Sequence, residues 1–340
     1  MRRGRGGVAP LAVDAGRIPP LGLPANRTSK GMEPNMGAET KIGLVGIGMM
    51  GWPMGACLAR AGFTVVVYDS RPEQSAKFAK EVGGETAASL AELGRACAIV
   101  VTMLPTSKIV SEVLLGENGV AAGMAKGGLV IDMTSGVPDV TISLEPALNE
   151  RGIAIIDAPV SGGVARARTG ELAIMAGGAE ADIDRARPVL EAMGKVQRAG
   201  ALGCGQAMKA LNNLVSAGGF LIGIEAMLVG KKFGLDPEVM VDILNASTGM
   251  NNSTQKKFKQ FVLSGAFNSG FALDLMVKDL SIALDVAKAR GVPTPFAALC
   301  RELWASADTM LGKGADHTAL ALLSERLANL SLRDDEGTRN

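Results

Sequence analysis

The stretch GQAMKALNNLVSAGGFLIGIEAMLVG, residues 205–230, carries one lysine, Lys209, at the head of a long apolar run whose only later charge is Glu225. At helical spacing, residues 209, 213, 216 and 220 share one face, which makes a stripe of Lys, Asn, Ser and Phe. Burial disfavours the charged form of a lysine and moves its pKa toward neutrality. A lysine so placed can exchange a proton with a substrate hydroxyl, and Asn213, one turn along, can orient the same group. The opposing reading is structural: Lys209 snorkels from the first turn, and Asn213 is a buried amide satisfied by a loop.

Two further constellations bear on the same chemistry. In DAPVSGGVARARTGELAIMAGG, residues 157–178, a strand-like run ends in Ser161, Gly162 and Gly163. Consecutive backbone N–H groups free of side chains, beside a hydroxyl, make a pocket for a carboxylate; the alternative is an ordinary Gly-rich turn. In LMVKDLSIAL, residues 275–284, Lys278 and Asp279 interrupt an apolar helix, either as site residues or as a solvated pair at a helix end.

A phosphate-binding turn precedes both. The run KIGLVGIGMMGWPM places Gly46, Ile47, Gly48, Met49, Met50 and Gly51 in a G-x-G-x-x-G pattern directly after a strand and at the start of a helix. The first glycine permits the turn, the second lets the backbone approach a pyrophosphate, and the third lets helix and strand pack closely. Eighteen residues after Gly51, the run TVVVYD ends in Asp69, whose carboxylate can accept hydrogen bonds from ribose hydroxyls. This favours NAD, although Arg71 is placed to meet the 2′-phosphate of NADP; Asp69 read structurally is a helix cap.

Composition removes competing mechanisms. With one histidine, His317, and one tyrosine, Tyr68, a Ser-His-Asp triad or a multi-histidine metal centre is not expected, and no lysine follows Tyr68 at Tyr-x-x-x-Lys spacing. The four cysteines, Cys57, Cys97, Cys204 and Cys300, are scattered without metal-ligand spacing and read as reduced, which points to the cytoplasm. Residues 1–40 hold six basic and three acidic side chains, leaving a formal charge of −2 on the remaining 300 residues. That balance offers no footprint for nucleic acid or an anionic membrane. The apolar run 210–230 is long enough for a membrane span, but Asn212, Asn213, Ser216 and Glu225 within it favour a core or subunit-interface helix.

These residues must be held by a two-part chain. Residues 1–40, rich in Gly, Pro and Arg, read as a disordered tail, either an over-extended gene start or dispensable. From 41 to 203 the runs KIGLVGIG, TVVVYD, CAIVVTML, GLVIDMTS, IAIIDAPV and GELAIMAGG read as strands of a parallel α/β sheet, with helices starting near Met50, Pro72, Ala87, Ser107, Pro138 and Glu180. From 204 to 330 only helices are expected, at about 205–233, 236–246, 251–264, 272–290 and 295–312. The fold class is therefore α/β: a Rossmann-like dinucleotide-binding domain, then an all-helical domain begun by a long interdomain helix.

Taken in order, GLVGIGMMGWPM, MLPTS, DAPVSGG, GQAMKALNN and KDL resemble the motifs of the β-hydroxyacid dehydrogenase family over about residues 41–325. The resemblance implies a cleft between the two domains, Lys209 as acid/base assisted by Asn213, and Ser161, Gly162 and Gly163 gripping the substrate carboxylate. It further implies that Lys278 lies near cofactor and substrate, that Leu104 and Pro105 border the nicotinamide, and that Ser135 sits near the cofactor. Implied partners are a small hydroxy acid or its semialdehyde, 3-hydroxyisobutyrate-like or of the tartronate semialdehyde, glycerate or threonate type, and a second copy of the chain in a homodimer or homotetramer. Three features depart from the family pattern: Cys57 replaces a common asparagine, DMTSG reverses a Ser-Thr order, and Arg166 and Arg168 stand where smaller residues are usual. Those arginines are either solvated or favour a more anionic substrate. The 6-phosphogluconate dehydrogenases resemble the chain in plan but carry a histidine where Asn212 stands; imine reductases generally replace the lysine. A non-catalytic nucleotide-binding platform is the alternative of another class, and relatives of that kind lack the lysine. Phe220, Asn251 and Phe271 are candidates for the substrate pocket.

Overall fold

The computed structural model describes residues 41–333; the tail expected at residues 1–40 lies outside the described residues. Among the described residues nine strands form one sheet: β1 (Lys41–Val45), β2 (Thr64–Tyr68), β3 (Glu85–Thr86), β4 (Ile99–Thr102), β5 (Leu129–Asp132), β6 (Ala154–Asp157), β7 (Val160–Ser161), β8 (Leu172–Gly177) and β9 (Gly194–Gly200). Their order is β3-β2-β1-β4-β5-β6-β8-β7, with β9 paired to β8. Continuous β-branched runs suit strands covered on both faces, and β4 and β5 are buried throughout.

Strands β1 to β6 are all parallel. The chain runs outward from β1 to β2 and β3, then returns to the other side of β1 as β4. That reversal leaves a crevice beyond the carboxyl ends of β1 and β4, where open α/β sheets receive their ligands.

The sheet is not parallel throughout, contrary to expectation. β8 runs antiparallel to β6 and β7, and β9 pairs with it in parallel. A parallel return needs a crossover of a dozen or more residues, whereas only the short helix Gly163–Thr169 links β7 to β8. β9 was not expected as a strand, because GKVQRAG begins and ends in glycine, holds three polar side chains and is largely exposed at the sheet margin.

After Gly203 the described chain is helical: Cys204–Phe233, Pro237–Asn245, Asn252–Lys256, a π-helical turn Phe258–Leu263, Leu273–Ala289, Pro295–Leu311, a 3-10 turn His317–Leu320 and Ala321–Ala328. The last helix was not anticipated, and the helix expected at 251–264 is divided into an α-helix and a π-helical turn. Fully buried Phe220, Phe258, Trp304, Leu273 and Leu280 form the core of this region. Helix Cys204–Phe233 opens after Gly203 at φ +87° and closes at Gly234 at φ +106°, left-handed positions that favour glycine. Its first turn lies directly on β8: a Cβ on Gly205 would come within 2.1 Å of the Met175 carbonyl oxygen. By length and composition this helix is apolar enough to cross a membrane, yet half of its most apolar window is buried inside the protein. It is a core helix.

Candidate active site

At the crevice predicted by the strand order lies a cleft of about 1090 Å³. The phosphate turn forms one end of it. Gly46 has φ +91°, and a Cβ there would stand 2.4 Å from the Met103 carbonyl oxygen; a Cβ on Gly51 would stand 1.9 Å from that of Gly46. Gly48 has nothing within 4 Å of its Cβ position and lines the cleft with Met49 and Met50. Helix Gly51–Arg60 starts there without a side-chain cap, so its positive end is available to an anion. An open backbone edge, an uncapped helix and a carboxylate at the next strand end fit a dinucleotide.

That carboxylate is Asp69. Its Oδ2 accepts the Ile47 N–H at 3.1 Å, and its Oδ1 accepts the Arg71 N–H at 3.0 Å and Arg71 Nε at 3.3 Å. Ile47 is thus buried as a brace for Asp69, while Asp69 and Arg71 both line the cleft. Leu104, Pro105 and Ser135 line it too. The Leu104 N–H donates to Thr134 Oγ1 at 3.1 Å, so the buried hydroxyl that shapes this wall belongs to Thr134, one residue before the predicted Ser135.

Lys209 reaches the cleft from the second turn of helix Cys204–Phe233 and is 8% exposed. Two buried strand-end carboxylates hold the start of that helix. Asp157, the last residue of β6, accepts the Gly203 N–H at 2.7 Å and the Gln206 N–H at 2.6 Å. Asp132, the last residue of β5, accepts Gln206 Nε2 at 3.0 Å through Oδ2, and Thr102 Oγ1 and the Thr134 N–H through Oδ1. Burial raises both carboxyls, Asp157 to about 6, against the pull of these hydrogen bonds. Neither aspartate was singled out from sequence. The signal was an acidic residue ending two apolar strands in succession.

Around Lys209 a polar chain runs inward. Lys209 Nζ lies 3.4 Å from Asn213 Oδ1, which also accepts Asn212 Nδ2 at 3.1 Å; Asn213 Nδ2 donates to Asp279 Oδ2 at 2.6 Å. Asn213 does not line the cleft; its amide bridges Lys209 and Asp279. Burial pushes the Lys209 ammonium below the usual lysine range; the Asp279 carboxylate opposes this and the Lys278 charge adds to it. Lys278 Nζ donates to the Ser135 carbonyl at 2.8 Å and the Pro105 carbonyl at 3.5 Å, and sits 3.5 Å from Asp279 Oδ1. It ties helix Leu273–Ala289 to the loops after β4 and β5.

Val160, Gly163 and Val164 line the cleft, with Ser161 and Gly162 between them in the chain. Gly162 at φ +129° and Gly163 at φ +67° turn this segment into its short helix. Arg166 and Arg168 are exposed and neither lines the cleft; Arg168 instead borders a separate cavity of about 410 Å³ with Trp52 and Arg60. Of the pocket candidates, Phe271 lines the cleft, whereas Phe220 belongs to the core and Asn251 caps helix Asn252–Lys256. Phe220 shares the helix stripe of Lys209, but past Ser216 that stripe is covered by the other helices, which periodicity within one helix does not reveal.

Comparison with known proteins agrees with this geometry. Residues 41–205 match the family described as the NAD binding domain of 6-phosphogluconate dehydrogenase, and residues 203–324 that described as NAD-binding of NADP-dependent 3-hydroxyisobutyrate dehydrogenase. The chain is 35% identical to 2-(hydroxymethyl)glutarate dehydrogenase of Eubacterium barkeri, over 87% of this chain and 99% of the relative. It is 37% identical to L-threonate dehydrogenase of Cupriavidus necator, over 82% and 94% respectively. Among solved structures, 3-hydroxyisobutyrate dehydrogenase of Mycobacterium tuberculosis, determined with L-serine, superposes with a TM-score of 0.77 at 32% identity, covering 84% of this chain and 98% of that one. Coverage of 94–99% of these relatives at this identity, over a glycine turn and a buried lysine that share one cleft, makes the chain a member of the β-hydroxyacid dehydrogenase family, an NAD(P)-dependent oxidoreductase of small hydroxy acids.

Proposed function

We propose that the protein interconverts a short 3-hydroxy carboxylic acid and its semialdehyde with NAD, and that Lys209 is the acid/base. The observation that carries this is a buried lysine, held by Asn213 and Asp279, opening into the same cleft as the phosphate turn. The nicotinamide supplies the hydride acceptor in oxidation and the donor in reduction. Neutral Lys209 takes the hydroxyl proton during oxidation and, protonated, returns it during reduction. Asn213 fixes the direction of the Lys209 amine, and Asp279 fixes Asn213. The segment Ser161, Gly162 and Gly163 presents backbone N–H groups to the substrate carboxylate, the group shared by the acids for which the relatives are named. Lys278, with its donors directed to Ser135 and Pro105, positions the cleft wall and brings positive charge beside both ligands.

In this reading residues 41–203 hold the cofactor and residues 204–330 supply Lys209 and the substrate end of the cleft. NAD is favoured over NADP because Arg71 is paired through Nε to Asp69, so a 2′-phosphate would approach a carboxylate. Four unpaired cysteines suit the reducing cytoplasm. Helix Cys204–Phe233 has a second, exposed apolar stripe at a seven-residue interval: Met208, Val215 (76% exposed), Ile222 and Val229 (72% exposed). A patch of this kind marks a protein–protein interface, and a second copy offering the same stripe forms a homodimer or homotetramer.

Lys209→Ala should lower kcat/KM about 10²- to 10⁴-fold while leaving the NAD dissociation constant unchanged; turnover at the wild-type rate would remove Lys209 from the chemistry. In the oxidation direction, kcat/KM should rise with pH as Lys209 deprotonates, with a midpoint below the 10.5 of an ordinary lysine. Asp279→Asn removes the charge that favours the ammonium, so the midpoint should fall further; an unmoved midpoint would assign the titration to another group. For Asp69→Ala, the expected outcome is weaker NAD binding and a smaller NAD:NADP preference, and an unchanged ratio would leave Asp69 as a brace only. Light scattering on Val215→Asp/Val229→Asp should report a smaller particle than the wild type, and equal masses would place the subunit contact elsewhere.

A further inference from the structure

The arginines that depart from the family pattern do not reach the cleft, and one of them, Arg168, lines the second cavity of about 410 Å³ instead. Residues of helix Gly51–Arg60 and of helix Gly163–Thr169 wall this hollow. Five of its lining residues are apolar or aromatic, Met49, Trp52, Pro53, Ala56 and Val164, and the other two are Arg60 and Arg168. The Arg60 guanidinium is fixed in place: Nη2 donates to the Arg168 carbonyl at 2.8 Å and to Cys57 Sγ at 2.9 Å. That contact carries it to the residue that bears the second charge. Both arginine side chains are exposed. Among the described residues, Nε and Nη1 of Arg60 donate to no protein group, Arg168 bonds only through its carbonyl, and neither arginine pairs with a carboxylate. Two cations without a counter-charge thus border one hollow.

The rest of the wall is apolar and braced. Trp52 meets the Phe78 ring edge-on at 5.2 Å between centres, and Lys77 Nζ stands 5.5 Å from the Trp52 ring centre. An indole held by two neighbours offers a large apolar surface at little entropic cost. Cys57 Sγ, in contact with the Ala167 carbonyl at 3.1 Å, ties the two helices together behind that wall. A concave, mostly apolar surface with a few convergent charges is the form that small-ligand sites take. We propose that this hollow is a second ligand site, separate from the cleft, for a small carboxylic acid with an apolar or aromatic body. The carboxylate meets the free donors of Arg60 and the guanidinium fork of Arg168, and the body lies against Trp52, Pro53 and Val164. Met49 and Val164 line both this hollow and the cleft, so an occupant touches the phosphate turn from outside the cleft. The site stands apart from the chemistry proposed for Lys209 and does not depend on it.

Calorimetric titration of the full-length, NAD-loaded protein with phenylacetate, phenylacetamide and acetate tests it. Phenylacetate has both the charge and the apolar body, and each of the others lacks one of them. Phenylacetate should bind about 10-fold or more tightly than either, the range for one charged hydrogen bond. Arg168→Gln removes a guanidinium that makes no other bond, and it should weaken phenylacetate by about the same factor; Arg168→Lys should recover part of the loss. Lys209→Ala should bind phenylacetate as the wild type does. Fluorescence reads the location, because Trp52 and Trp304 are the two tryptophans of the chain and Trp304 is fully buried in the helical core. Phenylacetate should shift the emission of the wild type and leave that of Trp52→Phe unchanged. Three equal affinities, or no binding at all, would overturn the site. So would phenylacetate binding that ignores Arg168→Gln but weakens in Lys209→Ala, which would put the acid in the cleft, or an emission change that survives in Trp52→Phe.

Discussion

Two carboxylates at the ends of adjacent strands grip the first turn of one helix, and the position of Lys209, the proposed acid/base, depends on that grip. Asp157 meets two backbone N–H groups of the turn, Gly203 and Gln206, while Asp132 holds the Gln206 side chain. Backbone contacts at two successive points fix the height and direction of the helix axis; a side-chain contact from a neighbouring strand fixes its rotation. Lys209 is three residues beyond Gln206 and so lies on nearly the same face. The free N–H groups and positive end of the helix favour the two buried anions, whose own burial raises their pKa. A helix held only by apolar packing would slide by a residue at far lower cost. Here, sliding would strip buried Asp157 of both donors the helix supplies and Asp132 of the Gln206 amide, at a cost of several kcal/mol.

Holding the lysine is half of what catalysis by a lysine requires; the other half is that its charge be only marginally tolerated. Burial disfavours the ammonium, Asp279 partly restores it, and Lys278 opposes it. Asp279 does not touch Lys209 directly but bonds the far side of Asn213. Its charge is therefore felt through an intervening amide, which attenuates it and still leaves the amine oriented. Lys278, close enough to Asp279 to share its charge at 3.5 Å, also fastens the helical region to the loops after β4 and β5. The same carboxylate thus links proton affinity at Lys209 to the geometry of the cleft wall.

Much of this was legible in sequence because it is written in local periodicity. Six strands, the glycine turn and the acidic end of the second strand follow from short runs whose neighbours in sequence are neighbours in space. Lys209 stood out because a lone charge at the head of a 30-residue apolar helix is conspicuous. What escaped has a common cause. β9 is polar because it lies at the sheet margin, and the antiparallel turn into β8 depends on the length of a short helix rather than on its composition. Asp132 and Asp157 look like strand-ending acids until the fold brings helix Cys204–Phe233 onto them. Helix spacing sets Asn213 beside Lys209, but its other partner, Asp279, lies 66 residues away and cannot be read from spacing within one helix. Lys257 is one of three lysines within four residues, and hydropathy cannot tell which of them turns inward.

One helix consequently serves several surroundings, and its faces divide the work. Its start is bonded to the sheet, and on the stripe of Lys209, Asn213 and Ser216 the lysine opens into the cleft while Asn213 bridges it to Asp279. Phe220, further along that stripe, is covered by Phe258 and Trp304, while Val215 and Val229 point outward. A helix of 30 residues is about 45 Å long and transmits displacement as a rigid rod. Any contact on the outward stripe that tilted it would therefore move Lys209 and Ser216 together relative to the sheet. The carboxylates at its start oppose that tilt most strongly where the lysine sits, three residues from Gln206. The far end rests on apolar packing and on the Lys231 ammonium, which donates to the Arg333 carbonyl at 2.7 Å. The proton transfer proposed for Lys209 would thus sit at the part of the helix that the two carboxylates anchor, and the exposed stripe that meets other surfaces continues toward its other end.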